Sequence, residues 1–186
     1  MKYASENHNW DLTIMASSKL MDVGKSIKKR DPYSFSAFTG AMLLSVAGLE
    51  GFLNSMAHSI EDEGFCYDCF EKKTIGDKLD FFLSKYNVDF KKGERPYQTV
   101  AQAIKWRNSL SHSKPTYVEE TEISSRDDIR ALPVQHRSTK KYEPYENLVN
   151  EENADRFNRD IIKIINRIEE NSGISPRAQC VYKNIP

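Results

Sequence analysis

An arginine, an asparagine and a histidine occur close together in one short segment, as Arg107, Asn108 and His112. A guanidinium binds a phosphate through a planar fork of donors, and an imidazole can accept or release a proton near neutral pH. Because both groups are available within one short segment, the pattern indicates chemistry at a phosphodiester bond. The spacing alone is a weak signal, since an arginine and a histidine fall at such distances by chance in any basic helical chain.

This segment closes a predicted amphipathic helix that begins near Pro96 and ends before Pro115. Proline suits the first turn of a helix, where its missing N–H is not needed. Residues five apart on a helix differ in direction by about 140°, so Arg107 and His112 do not lie one above the other. Asn108 and His112, four apart, share a face. A long arginine side chain can still reach the histidine at a cleft, particularly where a second subunit supplies the opposite wall.

Four further apolar patterns with helical spacing predict the helices that would position this segment. They cover residues 10–29, 33–61, 75–86 and 153–171. The second is long enough to run the length of a bundle, and small residues such as Gly48 would let another helix approach it closely. Gly173 is expected to close the last helix. With no convincing strand pattern, the chain is predicted to be all-α, a bundle of four to five helices.

Residues 116–150 depart from the helical pattern, with charges and prolines between isolated apolar residues. A stretch of that length without periodicity is long for a compact domain, so we expect a short hairpin near 116–123 or a mobile, irregular insertion. Residues 174–186 are polar and are expected to form a loosely ordered tail. Since the length suits one sizeable core, residues 1–186 are predicted to be a single domain.

Composition limits the possible functions. Lysine plus arginine and aspartate plus glutamate number 27 each, so the net charge is zero and any nucleic-acid binding must depend on a local patch. The mean hydropathy is −0.65. The sequence has no run of 18 apolar residues and no apolar core of a signal peptide near its start, which predicts a cytoplasmic protein without a membrane segment. Three cysteines make a secreted disulfide scaffold an unfavoured interpretation.

Residues 107–112 (RNSLSH) resemble the R-x4-6-H motif of the HEPN superfamily, in which a polar residue, often asparagine, commonly follows the arginine. Residues 45–54 (SVAGLEGFLN) resemble the second helix of many HEPN proteins, which carries a glutamate near its middle, here Glu50. Residues 78–83 (KLDFFL) and 96–98 (PYQ) precede the motif in the expected order. The resemblance covers roughly residues 10–115 and leaves 116–150 outside it.

The resemblance implies an HEPN-like helical bundle that dimerises through its motif helices and often acts as a metal-independent endoribonuclease. Many members are toxins or phage-defence proteins, and some are non-catalytic scaffolds. The partners implied are a second copy of the chain, an RNA substrate and, for a toxin, an antitoxin protein. No cofactor and no metal are expected, because the ribose 2′-hydroxyl of RNA is itself the nucleophile; DNA lacks this group and should not be cut.

Carried over to this chain, the resemblance gives four candidate catalytic residues. Arg107 would hold the scissile phosphate and stabilise the charge that develops on it. His112 would take the proton from the 2′-hydroxyl or give one to the leaving 5′-oxygen. Asn108 would hydrogen-bond the phosphate or orient His112. Glu50 would pair with Arg107 and fix its side-chain conformation.

Two other interpretations remain open from the sequence. The chain could be a non-catalytic HEPN dimerisation or adaptor module that binds a protein or a nucleotide ligand, with the motif as a polar network across the dimer. Alternatively, it could be an all-α protein of unrelated function, in which Arg107 is an ordinary ion-paired residue and His112 is a favourable cation at a helix C-terminus.

Two more groups of residues could carry chemistry. Cys66 and Cys69 have a C-x-x-C spacing, but a structural zinc site needs four ligands and no second pair accompanies them, so a loop that packs on the bundle is favoured and metal binding is left open. Four basic residues near the motif are the better candidates for phosphate contacts. They are Lys91, Lys92, Arg95 and Lys105.

Overall fold

The computed structural model describes residues 9–27, 31–60, 64–111 and 145–176, together with the strands at 2–4 and 183–185. The elements in these ranges are β1 (Lys2–Ala4), α1 (Trp10–Ser26), α2 (Pro32–His58), α3 (Tyr67–Glu71), α4 (Ile75–Lys85), α5 (Tyr97–Ser111), a 3-10 helix (Tyr145–Leu148), α6 (Glu151–Ser172) and β2 (Lys183–Ile185). Apart from the two short strands, every regular element in the described part of the chain is helical, and the prediction of an all-α bundle is confirmed.

Helix α2 forms the centre of the bundle and contacts α1, α3, α4, α5 and α6. It begins where predicted because the Asp31 carboxylate accepts a hydrogen bond from the Tyr33 amide and Pro32 occupies the first turn. Helix α1 packs along it at the small residues, as expected. A Cβ at Gly48 would lie 2.5 Å from Cδ1 of Ile14, so any larger residue would force the Ile14 side chain to move.

Helix α2 is also long and apolar enough, by length and composition alone, to cross a membrane, with a mean hydropathy of 1.4 over the best window. The sequence has no unbroken run of 18 apolar residues, so the sequence analysis did not predict this property of α2. In the fold, 56% of that window is buried by the rest of the protein. The core helix of a soluble protein passes the same test, so the finding is weak support for a membrane segment.

Helices α4, α5 and α6 complete the core with the apolar stripes that their sequences predict. The α6 stripe is fully buried and consists of Phe157, Ile161, Ile164, Ile165 and Ile168. From α5, the ring of Trp106 packs edge-on against Phe157, with centroids 6.3 Å apart. Gly173 ends α6 in a left-handed conformation with φ 68°, which glycine adopts without the usual steric penalty.

The predicted break between the second and third long helices contains the short helix α3, which the sequence did not reveal. Cys66 and Cys69 form a disulfide at its start, and the Cys66 sulfur accepts a hydrogen bond from the Cys69 amide at 3.3 Å. Phe70 of α3 is buried, with its ring centroid 5.3 Å from that of Phe81 and 5.4 Å from that of Phe82. The break therefore packs on the bundle, as the sequence indicated.

The ends of the chain meet in a two-stranded antiparallel ribbon in which Lys2 lies opposite Ile185. Pro176 is buried, and its carbonyl accepts a hydrogen bond from the indole of Trp10. The sequence analysis predicted a loosely ordered tail over residues 174–186 and neither the ribbon nor the hydrogen bond from Trp10. The predicted irregular insertion covers residues 116–150. Residues 116–144 lie outside the described part of the chain, and the 3-10 helix occupies Tyr145–Leu148.

Candidate functional site at the junction of α2, α4 and α5

Arg107 lies at the border between the buried and the exposed faces of α5. Val100, Ala103 and Trp106 are buried against the bundle, because they recur at three-residue steps on the face that meets α2 and α6. Arg107 follows Trp106 directly, and its side chain remains 32% exposed. The guanidinium can therefore contact both the protein and a ligand in solvent.

The Arg107 guanidinium has two partners from the predicted site. Its Nη2 donates to Oε2 of Glu50 on α2 at 3.3 Å, and its Nη1 donates to Oδ1 of Asn108 at 3.1 Å. The ion pair that the resemblance implied between Glu50 and Arg107 is therefore present. Because two separate nitrogens are engaged, the plane of the guanidinium is fixed as well as its position.

Lys78 of α4 completes this group of charges. Its Nζ lies 3.9 Å from Oε1 of Glu50, and its side chain is only 1% exposed. The same Nζ lies 5.9 Å from the centre of the Phe70 ring, a distance that suits a cation–π contact. Glu50 thus lies between two cations, and we refer to Glu50, Lys78, Arg107 and Asn108 as the Arg107 cluster.

The sequence analysis did not select Lys78 as a site residue, although a signal was present. Lys78 follows Ile75 by three residues and precedes Phe82 by four, so it interrupts the apolar stripe of α4 at a position that faces the core. A lysine is rarely buried unless it is paired. Such a position therefore indicates a carboxylate on a neighbouring helix, which here is Glu50.

Asn54 lies one helical turn beyond Glu50 on the same face of α2. Its Oδ1 is buried and accepts no hydrogen bond within the part of the chain that the structure describes. Since almost all buried polar atoms in proteins are satisfied, this acceptor marks a position where a donor from water or a ligand would be favourable. The polar face of α2 near the cluster therefore extends over at least one turn.

His112 directly follows the last residue of α5, Ser111, and lies outside the described residues. Its predicted role therefore stays a prediction. Three of the four candidate residues, Glu50, Arg107 and Asn108, are brought together by contacts between α2 and α5. Asn108 and Ser111, near and at the end of α5, are exposed.

The four predicted phosphate contacts differ in how far their charge is already balanced. Three are paired with carboxylates, namely Lys91 with Glu94 at 3.3 Å, Lys92 with Asp80 at 2.7 Å and Arg95 with Asp160 at 2.8 Å. Lys105 on α5 is exposed and forms no ion pair with any described residue. Lys105 is therefore the cation that is most available to an external anion.

The two acceptor carboxylates that are least exposed to solvent are held in their charged form. Burial alone would raise the pKa of Asp160, but hydrogen bonds from Arg95 and Thr99 and the charge of Arg95 outweigh it and lower the pKa below its ordinary value. At Asp80, burial is likewise outweighed by hydrogen bonds from Lys92 and Tyr97, so its pKa is also lowered. Both pairs are therefore charged at neutral pH.

Cys66 and Cys69 offer no pair of thiolates to a metal while they are joined by the disulfide. Within the described ranges, no three or more histidine, cysteine or carboxylate side chains come close enough to hold a metal ion. Cys66 and Cys69 are both exposed, so the disulfide is accessible to reductants.

The cluster has the composition of an anion site: an oriented arginine, an exposed amide and a carboxylate that is neutralised by a buried lysine. The resemblance to HEPN proteins depends on the motif residues and their helical context. No protein-family model, curated protein or solved structure matches this chain.

Proposed function

We propose that the protein is a metal-independent, HEPN-like endoribonuclease, in which Arg107 binds the scissile phosphate and His112 transfers protons. One observation carries the proposal: the Arg107 guanidinium is held 3.3 Å from Glu50 and 3.1 Å from Asn108 while a third of the side chain stays exposed. A cation that is already oriented loses little conformational freedom when a phosphate binds. It can also stabilise the charge that develops during the reaction without first rearranging.

The surrounding charges suit this role. A carboxylate alone beside Arg107 would cancel its charge and weaken phosphate binding. Here Lys78 lies 3.9 Å from the other oxygen of Glu50, so the three side chains together keep one net positive charge. Glu50 therefore orients Arg107 while Lys78 compensates the negative charge of Glu50.

The proposed reaction is an intramolecular transesterification. The ribose 2′-oxygen attacks phosphorus, the new P–O2′ bond forms, and the bond from phosphorus to the 5′-oxygen breaks. The proton leaves the 2′-hydroxyl for a base, and the departing 5′-oxygen takes up a proton. His112 performs one of these transfers, and the products are a 2′,3′-cyclic phosphate and a 5′-hydroxyl.

A homodimer through the motif helices would complete the site. The end of α5 presents small or polar exposed residues, among them Asn108 and Ser109, which allow two helices to approach closely. Two copies of Arg107 and His112 would then face one cleft, so that one histidine acts as base and the other as acid. A nuclease of this kind would act in the cytoplasm as a toxin or in phage defence, with an antitoxin protein as a partner that restrains it.

The second candidate function is a non-catalytic HEPN adaptor that dimerises and binds a protein or a nucleotide ligand. One observation favours it: Arg107 already has two hydrogen-bond partners within its own chain, so its donors do not require a phosphate. A polar network that is complete without a phosphate can serve to stabilise a fold or an interface.

The test is incubation of purified protein with varied RNAs in excess EDTA, beside the variants Arg107→Ala and His112→Ala. Matched controls are Arg167→Ala, an arginine at the far end of α6 that is 59% exposed, and His58→Ala, an exposed histidine of α2. We expect wild type and both controls to leave cyclic phosphate ends, and both site variants to be inactive with unchanged helical content and oligomeric state.

Two outcomes would overturn the proposal. Undiminished cleavage by His112→Ala would remove the histidine from the mechanism. Equal inactivity of wild type and all variants on every RNA, with an intact dimer, would favour the adaptor function.

A further inference from the structure

A cleft of about 470 Å³ lies between α5 and α6, on the side of α5 that faces away from Glu50. The side chains that matter for its chemistry are Arg95, Gln98, Gln102, Lys105 and Arg156. We refer to it as the α5–α6 cleft. Every one of these five side chains carries N–H donors, which is the inventory expected of a site for an anion.

The α5–α6 cleft is positive although the chain as a whole is neutral. Arg95, Lys105 and Arg156 contribute three positive charges, and among the described residues the one carboxylate paired to them is Asp160, which pairs with Arg95. The Asp160 side chain is only 9% exposed, whereas Arg95 is 54% exposed, so the cation is the member of the pair that faces the ligand side. A local excess of positive charge of this kind attracts phosphate groups.

Arg156 has unused hydrogen-bonding capacity at this position. Its Nη2 donates to Oε1 of Gln102 at 2.9 Å, but its Nε is buried without a partner in the described part of the chain. A guanidinium has five N–H donors, and leaving a buried donor unsatisfied is costly. An anion that draws the guanidinium toward the cleft would therefore replace an incomplete set of contacts with a better one.

Polar side chains lead along α5 from the cleft toward the motif. Gln98, Gln102 and Lys105 follow one another at steps of four and three residues, and Asn108 continues the series three residues later. Such steps keep side chains on adjacent parts of one helix surface. From residue 98 to 108 the rise along the axis is about 15 Å, enough for more than one phosphate of a strand.

We propose that the α5–α6 cleft binds the phosphate groups of an RNA strand that extends from the scissile phosphate at Arg107. The identity of this strand depends on the proposed ribonuclease function, whereas the recognition of a phosphate depends only on the residues of the cleft. A free nucleotide carries the same chemical group, so the experiment separates these two sources.

The experiment measures binding of a fluorescent single-stranded 2′-O-methyl oligoribonucleotide, which has no free 2′-hydroxyl and cannot be cleaved, across a series of salt concentrations. Wild type is compared with Lys105→Ala and Arg156→Gln. The matched control is Lys72→Ala, which removes an exposed lysine from the turn after α3. Helical content is checked for each variant; Lys105 is exposed, so its replacement leaves the core intact.

We expect each cleft variant to weaken binding about three- to tenfold at low salt and to reduce the slope of log affinity against log salt by about 0.7, the value for one lost phosphate contact on a single strand. Lys72→Ala should match wild type in both measures. Identical affinity and slope for Lys105→Ala, Arg156→Gln and the control would overturn the proposal.

Adenosine 5′-monophosphate provides the second arm. If the cleft variants lose affinity for this nucleotide while their affinity for the oligonucleotide is unchanged, the cleft takes a free nucleotide and the proposed RNA path is wrong. The same measurements distinguish a failure of the ribonuclease proposal. If wild type does not cleave RNA but the cleft variants still lose affinity for the oligonucleotide, the ribonuclease proposal is wrong and the proposal for the cleft is supported. Conversely, if wild type cleaves RNA and the cleft variants bind the oligonucleotide as wild type does, the proposal for the cleft is wrong and the ribonuclease proposal is unaffected.

Discussion

The carboxylate of Glu50 lies 3.9 Å from the ammonium group of Lys78, a lysine whose side chain is only 1% exposed. The other oxygen of the same carboxylate accepts a hydrogen bond from Arg107. Glu50 therefore has two roles that can be separated by experiment: it compensates a buried charge on α4 and it orients an exposed charge on α5.

The first role predicts that Glu50→Gln destabilises the fold. The neutral side chain leaves Lys78 buried without a compensating charge, and removing one partner of a fully buried pair costs about 3–5 kcal/mol. Because Glu50 is 30% exposed, we expect a smaller loss, about 1–3 kcal/mol. Urea unfolding followed by circular dichroism measures the change in the free energy of unfolding.

A double-mutant cycle provides the control for this prediction. Lys78→Met replaces the ammonium with an apolar group of similar volume, so the double variant contains neither buried charge. The double variant has no buried ammonium without a counter-charge, so Glu50→Gln/Lys78→Met should be more stable than Glu50→Gln alone. A double variant as unstable as the sum of the single changes would show that the two side chains are not coupled.

The second role predicts that Arg107→Lys impairs RNA cleavage more than stability. Lysine keeps the charge, but it offers one point of donation and cannot span Glu50 and Asn108 as the guanidinium does. We expect the cleavage rate to fall at least about tenfold. The free energy of unfolding should change by less than about 1 kcal/mol, because a partly exposed ion pair contributes no more than this to stability.

Single-turnover cleavage and urea unfolding of the same preparations test this separation, with Arg167→Lys as the control substitution. Wild-type cleavage by Arg107→Lys would mean that a point charge is sufficient and that the orientation by Glu50 has no catalytic role. A large loss of stability would instead mark Arg107 as a structural residue.

The disulfide between Cys66 and Cys69 predicts a defined count of free thiols. The chain has three cysteines, so alkylation of the denatured protein without reductant should label Cys180 alone, and all three after reduction. Mass spectrometry distinguishes the two results. Three labels without reductant would show that both thiols are free and would reopen the metal alternative at this pair.

Replacing both cysteines with serine should cost little stability. The disulfide closes a very short loop, and the loop-entropy relation gives at most about 2 kcal/mol for it. Serine is also a good N-cap residue, so a hydroxyl at position 66 can accept the amide of residue 69 in place of sulfur. A loss well above this value in thermal unfolding would show that the disulfide does more than close the turn before α3.

The long helices could be predicted from the sequence because each repeats its apolar pattern over several turns. Helix α3 was missed, since the five residues of Tyr67–Glu71 are too few to display a period. The ribbon between Lys2–Ala4 and Lys183–Ile185 joins opposite ends of the chain, and no local pattern specifies such a pairing. The elements missed are thus the short ones and those that depend on distant partners.

The candidate site divides in the same way. Arg107 and Asn108 adjoin in sequence, so their motif could be recognised directly, and Glu50 followed from the resemblance of its helix. Lys78 and Arg156 could not be assigned to sites from the sequence, because each acquires its role only when a second helix buries it or forms a cleft beside it. A lysine on an apolar stripe indicates a buried pair but does not identify the partner.

The Arg95–Asp160 pair predicts how stability depends on pH. The pKa of Asp160 is lower in the folded protein than its ordinary value of about 3.9, because the hydrogen bonds and charge of Arg95 outweigh the effect of burial. As the pH falls, the unfolded chain takes up the proton before the folded one. The pair therefore contributes its full stability above about pH 5, and this contribution is lost as the pH falls through the folded pKa.

The comparison of wild type with Asp160→Asn isolates this effect. The variant lacks the titrating group, so the difference between the two free energies of unfolding should be constant between about pH 5 and 7 and should shrink at lower pH. Arg95→Gln should also reduce the pH dependence, since it removes the main cause of the lowered pKa while the carboxyl group remains. Urea unfolding at intervals between pH 3 and 7 provides the measurement.

A difference between wild type and Asp160→Asn that stays the same at pH 3 as at pH 7 would mean that Asp160 titrates alike in the folded and unfolded chains. The two hydrogen bonds that Arg95 donates to Asp160, from Nε at 2.8 Å and from Nη2 at 3.0 Å, would then not stabilise the charged form.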